Sequence, residues 1–380
     1  MPRKAKSDDT GIKEEIEASL TQGAGVTKAK KGTSSSATRG VAWISSGSDL
    51  MDEVVGGGRG LGYETGMSVL FEAMSSAGKS FLAHEVIASA YHKYKEKCKW
   101  LYLDVESGCT FDSKQLYGVE IMPVNVEDRK RPETIEDCFS EIMLFGETIK
   151  EGEIGIAVVD SIDGLLSEET ETAADERVKN YKKGSDKNDG LRGQQKALFL
   201  SRIFWPKINS MIEKKNILLI VVSQYRQAAG QYGPRNTISN GEAIKFYVHA
   251  RVKFRKVNEI EVSGRPIGAV VEVSTVKLKG PRPYRSCPFI LYYSRGVDNI
   301  ETSIDYLYDL RTAKECDFKK GSEEKLLKFE DVELNRHDLI RHIEQGKLES
   351  KLKRMVLDKW EDEEDAAMKP LEGRKSRYAE

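Results

Sequence analysis

Between Val41 and about Ser294 the chain alternates short, β-rich apolar runs with stretches of helical character, and this alternation constrains the fold more than any other feature. The expected strands are Met67–Glu72, Trp100–Val105, Ile154–Asp160, Ile217–Ser223, Ala250–Phe254, Ala269–Thr275 and Phe289–Tyr293. Helices are expected over Lys79–Lys93, Glu133–Lys150 and Gly193–Lys214. Strand, helix and strand in turn form the unit of a mostly parallel, twisted sheet covered by helices, because a right-handed crossover packs back onto such a sheet. The last three runs follow one another without a helix, so that edge of the sheet is expected to be antiparallel. The expected fold class is therefore α/β.

Other segments read as additions to this core. Gly11 to Thr21 is a short helical candidate in which Ile12, Ile16 and Leu20 recur every four residues and share one face, while Gln22 to Gly40 is a Gly/Ser/Thr/Lys linker. Either the helix is a frayed tail or its apolar face docks on a neighbouring subunit. From about Ile304 the chain is more polar and helical, with Lys325–Lys328 and Arg336–Ile343 preceding a mixed-charge tail. The expected division is 1–40 for helix and linker, 41–300 for the core and 301–380 for a small accessory region.

Charge and cysteine usage exclude several classes. The 60 basic residues stand against 61 acidic ones, so attraction for a polyanion must come from local clustering. The five cysteines, Cys98, Cys109, Cys138, Cys287 and Cys316, are scattered without a CxxC pair or a histidine at zinc-ligand spacing, as expected of reduced thiols in the cytoplasm. No apolar run reaches membrane-spanning length, and the N-terminus carries no signal-peptide core.

The chemistry-bearing motif lies where the first long strand meets the first long helix. Ala73-Met74-Ser75-Ser76-Ala77-Gly78-Lys79-Ser80-Phe81 can turn backbone N–H groups and a helix N-terminus toward phosphate oxygens. A bare Gly-Lys-Ser tripeptide arises easily by chance, and Ala73 stands where the full phosphate-loop pattern has glycine. Context supplies the rest. The apolar run Ile156–Val159 ends in Asp160, a carboxylate placed for the magnesium shell together with the Ser80 hydroxyl. Glu106 closes the run Trp100–Val105 and can orient an attacking water; Asp104, two residues earlier on the same strand face, competes for that role. The pattern points to ATP and Mg2+.

Two segments are suited to nucleic acid. Between Arg177 and Lys196, seven basic residues (Arg177, Lys179, Lys182, Lys183, Lys187, Arg192 and Lys196) outnumber two acidic ones, with Gly184, Gly190 and Gly193 among them. This is a positive loop able to neutralise phosphates, or else a solvated charge run. The second segment, Tyr225 to Glu242, holds Arg226, Arg235 and Tyr232 among glycines, with Tyr232 placed to stack on bases.

Taken in order, these motifs resemble the RecA family of recombinases, with greatest similarity to phage UvsX-like members, over about Ala42 to Ser294. Ser45–Asp52 resembles the family's leading segment, Leu103-Asp104-Val105-Glu106 the strand with its catalytic glutamate, and Val158-Val159-Asp160-Ser161 its magnesium-side strand. Lys245-Phe246-Tyr247, followed by Arg251, resembles the stretch leaving the second DNA loop. The resemblance implies a RecA-like ATPase core, with Glu106 favoured over Asp104 and Gln224 linking the γ-phosphate to the second loop. It also implies Lys277 and Lys279 reaching across a subunit interface to the neighbour's ATP, with Lys245 and Phe246 at that interface. The family's adenine-side aspartate and tyrosine fall near Thr110 and Ser113, which leaves Phe111 as the aromatic offered to the base. The activity implied is a DNA-dependent ATPase that polymerises on single-stranded DNA and pairs it with homologous duplex, with a recombination mediator and a single-strand-binding protein as further partners. A DnaB-type ring helicase and a non-hydrolysing DNA-coating relative are the alternatives.

Overall fold

A computed structural model describes the chain from residue 41 to residue 369, apart from residues 59, 75–76, 107, 109–111, 123–130, 183–193, 228–235, 239–240 and 313–315. The expected N-terminal helix, with Ile12, Ile16 and Leu20, lies outside the described residues.

Strands β1 (Trp43–Ile44) and β2 (Tyr63–Glu64) pair antiparallel on either side of helix Asp49–Gly56. That helix starts on the Ser48 side chain, which accepts from the Met51 N–H, and stops at Gly57 in the left-handed conformation. The main sheet contains β3 (Ser68–Ala73), β4 (Cys98–Asp104), β5 (Ile154–Asp160), β6 (Ile217–Gln227), β7 (Asn236–Ile238), β8 (Ala250–Val262), β9 (Arg265–Leu278), β10 (Ser286–Tyr292) and β11 (Gly296–Asp298). Its order is β11-β10-β9-β8-β3-β6-β5-β4, with β7 paired to β6. The run from β8 to β4 is parallel, and β9, β10 and β11 add antiparallel at the other edge.

Apolar continuity explains the centre of this sheet. Residues 154–159 of β5 and 217–222 of β6 are buried throughout, as strands covered on both faces must be. Helix Lys79–Tyr94 covers one face through Leu82, Ala83, Val86 and Ile87. The other face is covered by helices Ile135–Thr148 and Trp205–Lys214 through Ile142, Trp205, Ile208 and Ile212.

Several boundaries differ from those expected, each for a local reason. Helix Ile135–Thr148 starts at Ile135 because Thr134 and Asp137 form a reciprocal capping box. The stretch up to Lys214 is a helix Gln194–Phe199, a π-helical segment Leu200–Phe204 and a helix Trp205–Lys214. β8 and β9 outrun the apolar patches expected for them: their polar outer halves pair across a two-residue turn, Ser263-Gly264, both at positive φ. Lys325–Lys328, expected to be helical, instead leads into a hairpin of β12 (Leu327–Phe329) and β13 (Val332–Leu334). Leu327 and Phe329 alternate into the core, and period two overrides helix propensity there.

The helical stretch expected over Arg336–Ile343 is a helix Arg336–Gly346, and the mixed-charge tail after it holds the helix Glu349–Met368. Leu352, Val356 and Trp360 of the second helix join the same hydrophobic cluster as Leu50 and Val54. Lys353 pairs with Asp49 at 2.7 Å, Arg282 with Glu361 at 2.7 Å, and Arg285 with Glu364. Among the described residues no helix is long and apolar enough to cross a membrane, and Cys98, Cys138, Cys287 and Cys316 are buried free thiols.

Candidate nucleotide site

The C-terminal ends of β3, β6, β5 and β4 lie side by side, and the loops leaving them build one cleft of about 530 Å3. Ala77, Gly78, Lys79, Ser80 and Phe81 line it, while Ser75 and Ser76 lie outside the described residues. Gly78 is favoured by its backbone and by its surroundings. Its φ of +84° is left-handed, and a Cβ there would stand 2.6 Å from Leu291 Cδ2.

Helix Lys79–Tyr94 starts at the cleft wall with no side-chain cap, so its first N–H groups face the space where an anion would sit. Lys79 is 6% exposed, and its ammonium donates to Met74 O at 2.8 Å. Burial pulls its pKa down, opposed by the charges of Asp160, Glu106 and Asp163. The cation is thus held inside the cleft by backbone and by surrounding carboxylates.

The facing wall is acidic. Asp160, at the end of β5, accepts from the Tyr102 hydroxyl at 2.7 Å and is hydrogen-bonded to the Ser80 side chain. Burial raises its carboxyl pKa, and these two hydrogen bonds oppose the rise. Behind Ser80, the buried His84 ring lies 4.3 Å from the Tyr102 ring, and its Nδ1 is 2.8 Å from Ser80 O. Burial lowers the His84 pKa to about 4, so the ring is neutral; because a carbonyl can only accept, the proton sits on Nδ1. His84 and Tyr102 therefore fix the pair that the sequence assigned to magnesium.

Glu106 stands at the mouth of the cleft. Its carboxylate accepts from the Ser161 hydroxyl and from Gln224 Nε2 at 3.2 Å. The Gln224 backbone N–H donates to Asp163 Oδ2 at 2.7 Å, and the Val105 N–H donates to Asp160 O at 2.7 Å, which locks β4 against β5. Asp104 also lines the cleft, but its carboxylate accepts from the Gly108 N–H at 3.1 Å and so closes a turn. The structure thus brings Lys79, Ser80, Asp160, Glu106 and Gln224 together. Lys256, Leu291 and Tyr293 complete the lining from β8 and from the end of β10; no local motif announces them. Phe111 lies outside the described residues.

A buried ammonium, an uncapped helix start, and a hydroxyl and carboxylate already in contact fit a nucleoside triphosphate with a divalent cation. Among the described residues no group of three or more His, Cys, Asp or Glu side chains could hold a metal alone. A hard cation shared between one carboxylate, one hydroxyl and phosphate oxygens needs no such group.

Lys277 and Lys279 do not line the cleft. Lys277 pairs with Arg251 near the start of β8, and the Lys279 N–H donates to His249 O. Both therefore lie toward the edge where β3 and β8 begin, opposite the edge carrying the phosphate loop. The Lys277 ammonium donates to the carbonyls of Lys245 and Phe246 at 2.9 and 2.5 Å, and Phe246 is 73% exposed.

The basic segment is only partly a loop. Helix Glu168–Lys182 carries Lys179, which is exposed, and ends at Lys182; its first turn holds Glu168, Glu169 and Glu171, so its charges complement its dipole. Lys196 turns inward and donates to Ile162 O and Leu165 O, which removes it from the candidate phosphate contacts. Lys183, Lys187 and Arg192 lie outside the described residues, as do Tyr232 and Arg235. In the second segment Tyr225, Arg226 and Gln227 extend β6 and pair with β7, and Gly241–Tyr247 is a helix. Backbone pairing at the base makes this segment a hairpin stem where a loop was expected.

Comparison with known proteins agrees with the geometry. Residues 12–298 match the family model described as the RecA N-terminal domain. The chain is 27% identical to Protein RecA of Mesoplasma florum over 263 residues, covering 69% of this chain and 71% of that protein. It is 29% identical to Protein RecA of Ehrlichia chaffeensis over 301 residues, covering 79% and 75%. To Protein RecA of Clostridioides difficile it is 26% identical over 280 residues, covering 73% and 72%. With the family model matched over well more than half of its length, this chain belongs to the RecA family.

Proposed function

We propose that this chain is an ATP-dependent DNA recombinase that forms filaments on single-stranded DNA and catalyses homologous pairing and strand exchange, as a UvsX-like member of its family. One observation carries the reading: the cationic groups are split between the two ends of the sheet. Lys79 lies inside the cleft, whereas Lys277 and Lys279 lie toward the opposite edge, with Lys277 beside the exposed Phe246. A subunit arranged this way completes its nucleotide site with a neighbour's lysines.

Within one subunit, Lys79 neutralises phosphate charge, and Ser80 and Asp160 hold Mg2+. Glu106, aimed by Ser161 and Gln224, orients the attacking water. Bound ATP with Mg2+ supplies the phosphoryl bond whose hydrolysis loosens subunit contacts. From the neighbour, Lys277 and Lys279 offset negative charge developing on the transferred phosphoryl group. Gln224 touches Glu106 and begins the strand extension leading to the second DNA segment, so nucleotide and DNA share one element. Residues 41–300 act as the ATPase unit, 301–380 as an accessory region, and 1–40 as the arm that docks on the next subunit. Lys179, Lys182, Lys183, Lys187, Arg192, Arg226, Tyr232 and Arg235 are the candidate DNA contacts.

Electron microscopy of the protein with single-stranded DNA and a slowly hydrolysed ATP analogue tests this reading. Helical filaments are expected; closed hexameric rings would refute the filament and favour the helicase alternative.

A further inference from the structure

A chain of polar groups crosses the sheet obliquely, from the second DNA segment to Lys277. On β6, the Tyr225 hydroxyl donates to Glu72 Oε2 at 2.6 Å. Arg251, on β8, grips the same carboxylate, with Nε 2.6 Å from Oε1 and Nη2 3.0 Å from Oε2. The Glu72 side chain, on β3 between them, is fully buried, and that of Arg251 is 22% exposed. Next in line is Lys277, the register partner of Arg251 on β9.

Strand register makes the chain oblique. Arg251 stands opposite Leu70; Glu72, two residues further along β3, stands opposite Ser223; Tyr225 lies two residues beyond Ser223. At about 3.3 Å per residue, the line climbs about 13 Å along the strands between Lys277 and Tyr225. A bulge sets its lower end. Val252 pairs with Thr275 but Arg251 pairs with Lys277, so Val276 is the extra residue and Lys277 turns onto the face of Arg251.

Both ends of the line meet groups with proposed roles. Tyr225 directly follows Gln224, which touches Glu106. Its hydroxyl is committed to Glu72 and its ring lies under the Lys253 ammonium at 5.3 Å, so Tyr225 belongs to the sheet and not to the DNA contacts. At the other end Lys277 holds the last carbonyls of helix Gly241–Tyr247, through which the chain leaves the second DNA segment. Burial lowers the Lys277 pKa, and the charges of Lys279 and then of Arg251 add to it. The Arg251 share depends on how closely Glu72 holds that guanidinium. A buried carboxylate sharing its oxygens between a guanidinium and a hydroxyl cannot lose one partner without rearranging toward the other.

We propose that Tyr225, Glu72 and Arg251 form a positioning strap that passes the state of the second DNA segment and the nucleotide cleft to Lys277. The proposal rests on the reading of Lys277 and of that segment given above. Tyr225, Glu72 and Arg251 do not line the nucleotide cleft; the three act through Lys277 and Gln224.

The test compares ATP turnover by the full chain with and without oligo(dT), alongside affinity for a fluorescent ATP analogue and for labelled oligo(dT). For Tyr225→Phe, DNA stimulation of kcat is expected to fall roughly tenfold, within the usual range of coupling between sites. Turnover without DNA and both affinities are expected to stay at wild-type levels. Glu72→Gln combined with Tyr225→Phe should cost no more than the larger single change, because the two remove one linkage. Full stimulation in Tyr225→Phe, or a parallel loss of turnover and nucleotide affinity, overturns the strap. Lys277→Ala separates this failure from failure of the underlying reading. If it keeps full DNA-stimulated turnover, the role of Lys277 is wrong. If it loses stimulation while Tyr225→Phe keeps it, only the strap is wrong.

Discussion

Replacing Glu53 by glutamine should stabilise this protein at alkaline pH and leave it nearly unchanged at acid pH. Glu53 lies on helix Asp49–Gly56, is 4% exposed, and has Oε2 buried without a hydrogen-bond partner. Burial, with the nearby Glu361 charge adding to it, pushes its carboxyl from 4.5 up to about 7, against a smaller opposing pull from Arg282. The folded state thus binds this proton more tightly than the unfolded chain does. Stability from the protonated carboxyl is full below pH 4.5 and is lost as pH rises through about 7. At pH 8 the buried charge costs at most about 3 kcal/mol, and relaxation toward Arg282 brings a realistic figure to about 1–2 kcal/mol. Glutamine carries no charge and its amide oxygen can still accept from the Gly60 N–H. For a chain of this size about 1.3 °C of Tm accompanies each kcal/mol, so Glu53→Gln should raise Tm by about 1–3 °C at pH 8. Thermal melts of both proteins at pH 5 and pH 8 read this directly. Glu85, raised to about 7, titrates in both proteins and cancels in the comparison, whereas the Asp52 charge adds to the push on Glu53, a repulsion that Glu53→Gln also removes. An equal gain at both pH values, or a lower Tm at pH 8, would refute the assignment of a buried, unpaired charge to Glu53.

Two other perturbations probe the catalytic end and the C-terminal helix. Glu106→Gln keeps groups that Ser161 and Gln224 can engage but cannot accept a proton, so kcat should fall by about 10²–10⁴ with nucleotide affinity retained; unchanged turnover would remove Glu106 from its proposed role. Trp360 is 6% exposed against Tyr306, and its Nε1 is buried without a partner. Trp360→Ala should cost about 3–5 kcal/mol in denaturant unfolding and Trp360→Phe under about 2, and equal costs would show that volume is not what Trp360 contributes.

What the sequence determined by itself is local in origin. The runs 154–160 and 217–223 read as buried strands because apolar stretches of this length, rich in Ile and Val, are too short for a buried helix and fit a strand covered on both faces, and Gly78-Lys79-Ser80 between strand and helix read as a phosphate loop because its function lies in backbone geometry set by neighbours in the chain. Asp160 was offered by its place at the end of an apolar strand, and Glu106 by its place just past another, because parallel strands deliver their C-terminal ends to one edge; Gln224, and Glu106 over Asp104, were proposed from the family resemblance. The tertiary structure decided what depends on register and approach. It separated Glu106 from Asp104 by giving one the Ser161 and Gln224 donors and the other a turn. It placed Lys256 and Tyr293 in the cleft, made Lys325–Lys328 lead into a hairpin, and turned Lys196 away from the candidate DNA contacts. It also joined Tyr225, Glu72 and Arg251, residues far apart in the chain that no spacing relates. The physical reason is common to these cases: periodicity and turn chemistry act over a few residues, whereas a side chain's partner is set by which strand lies beside it and by how many residues the two are offset.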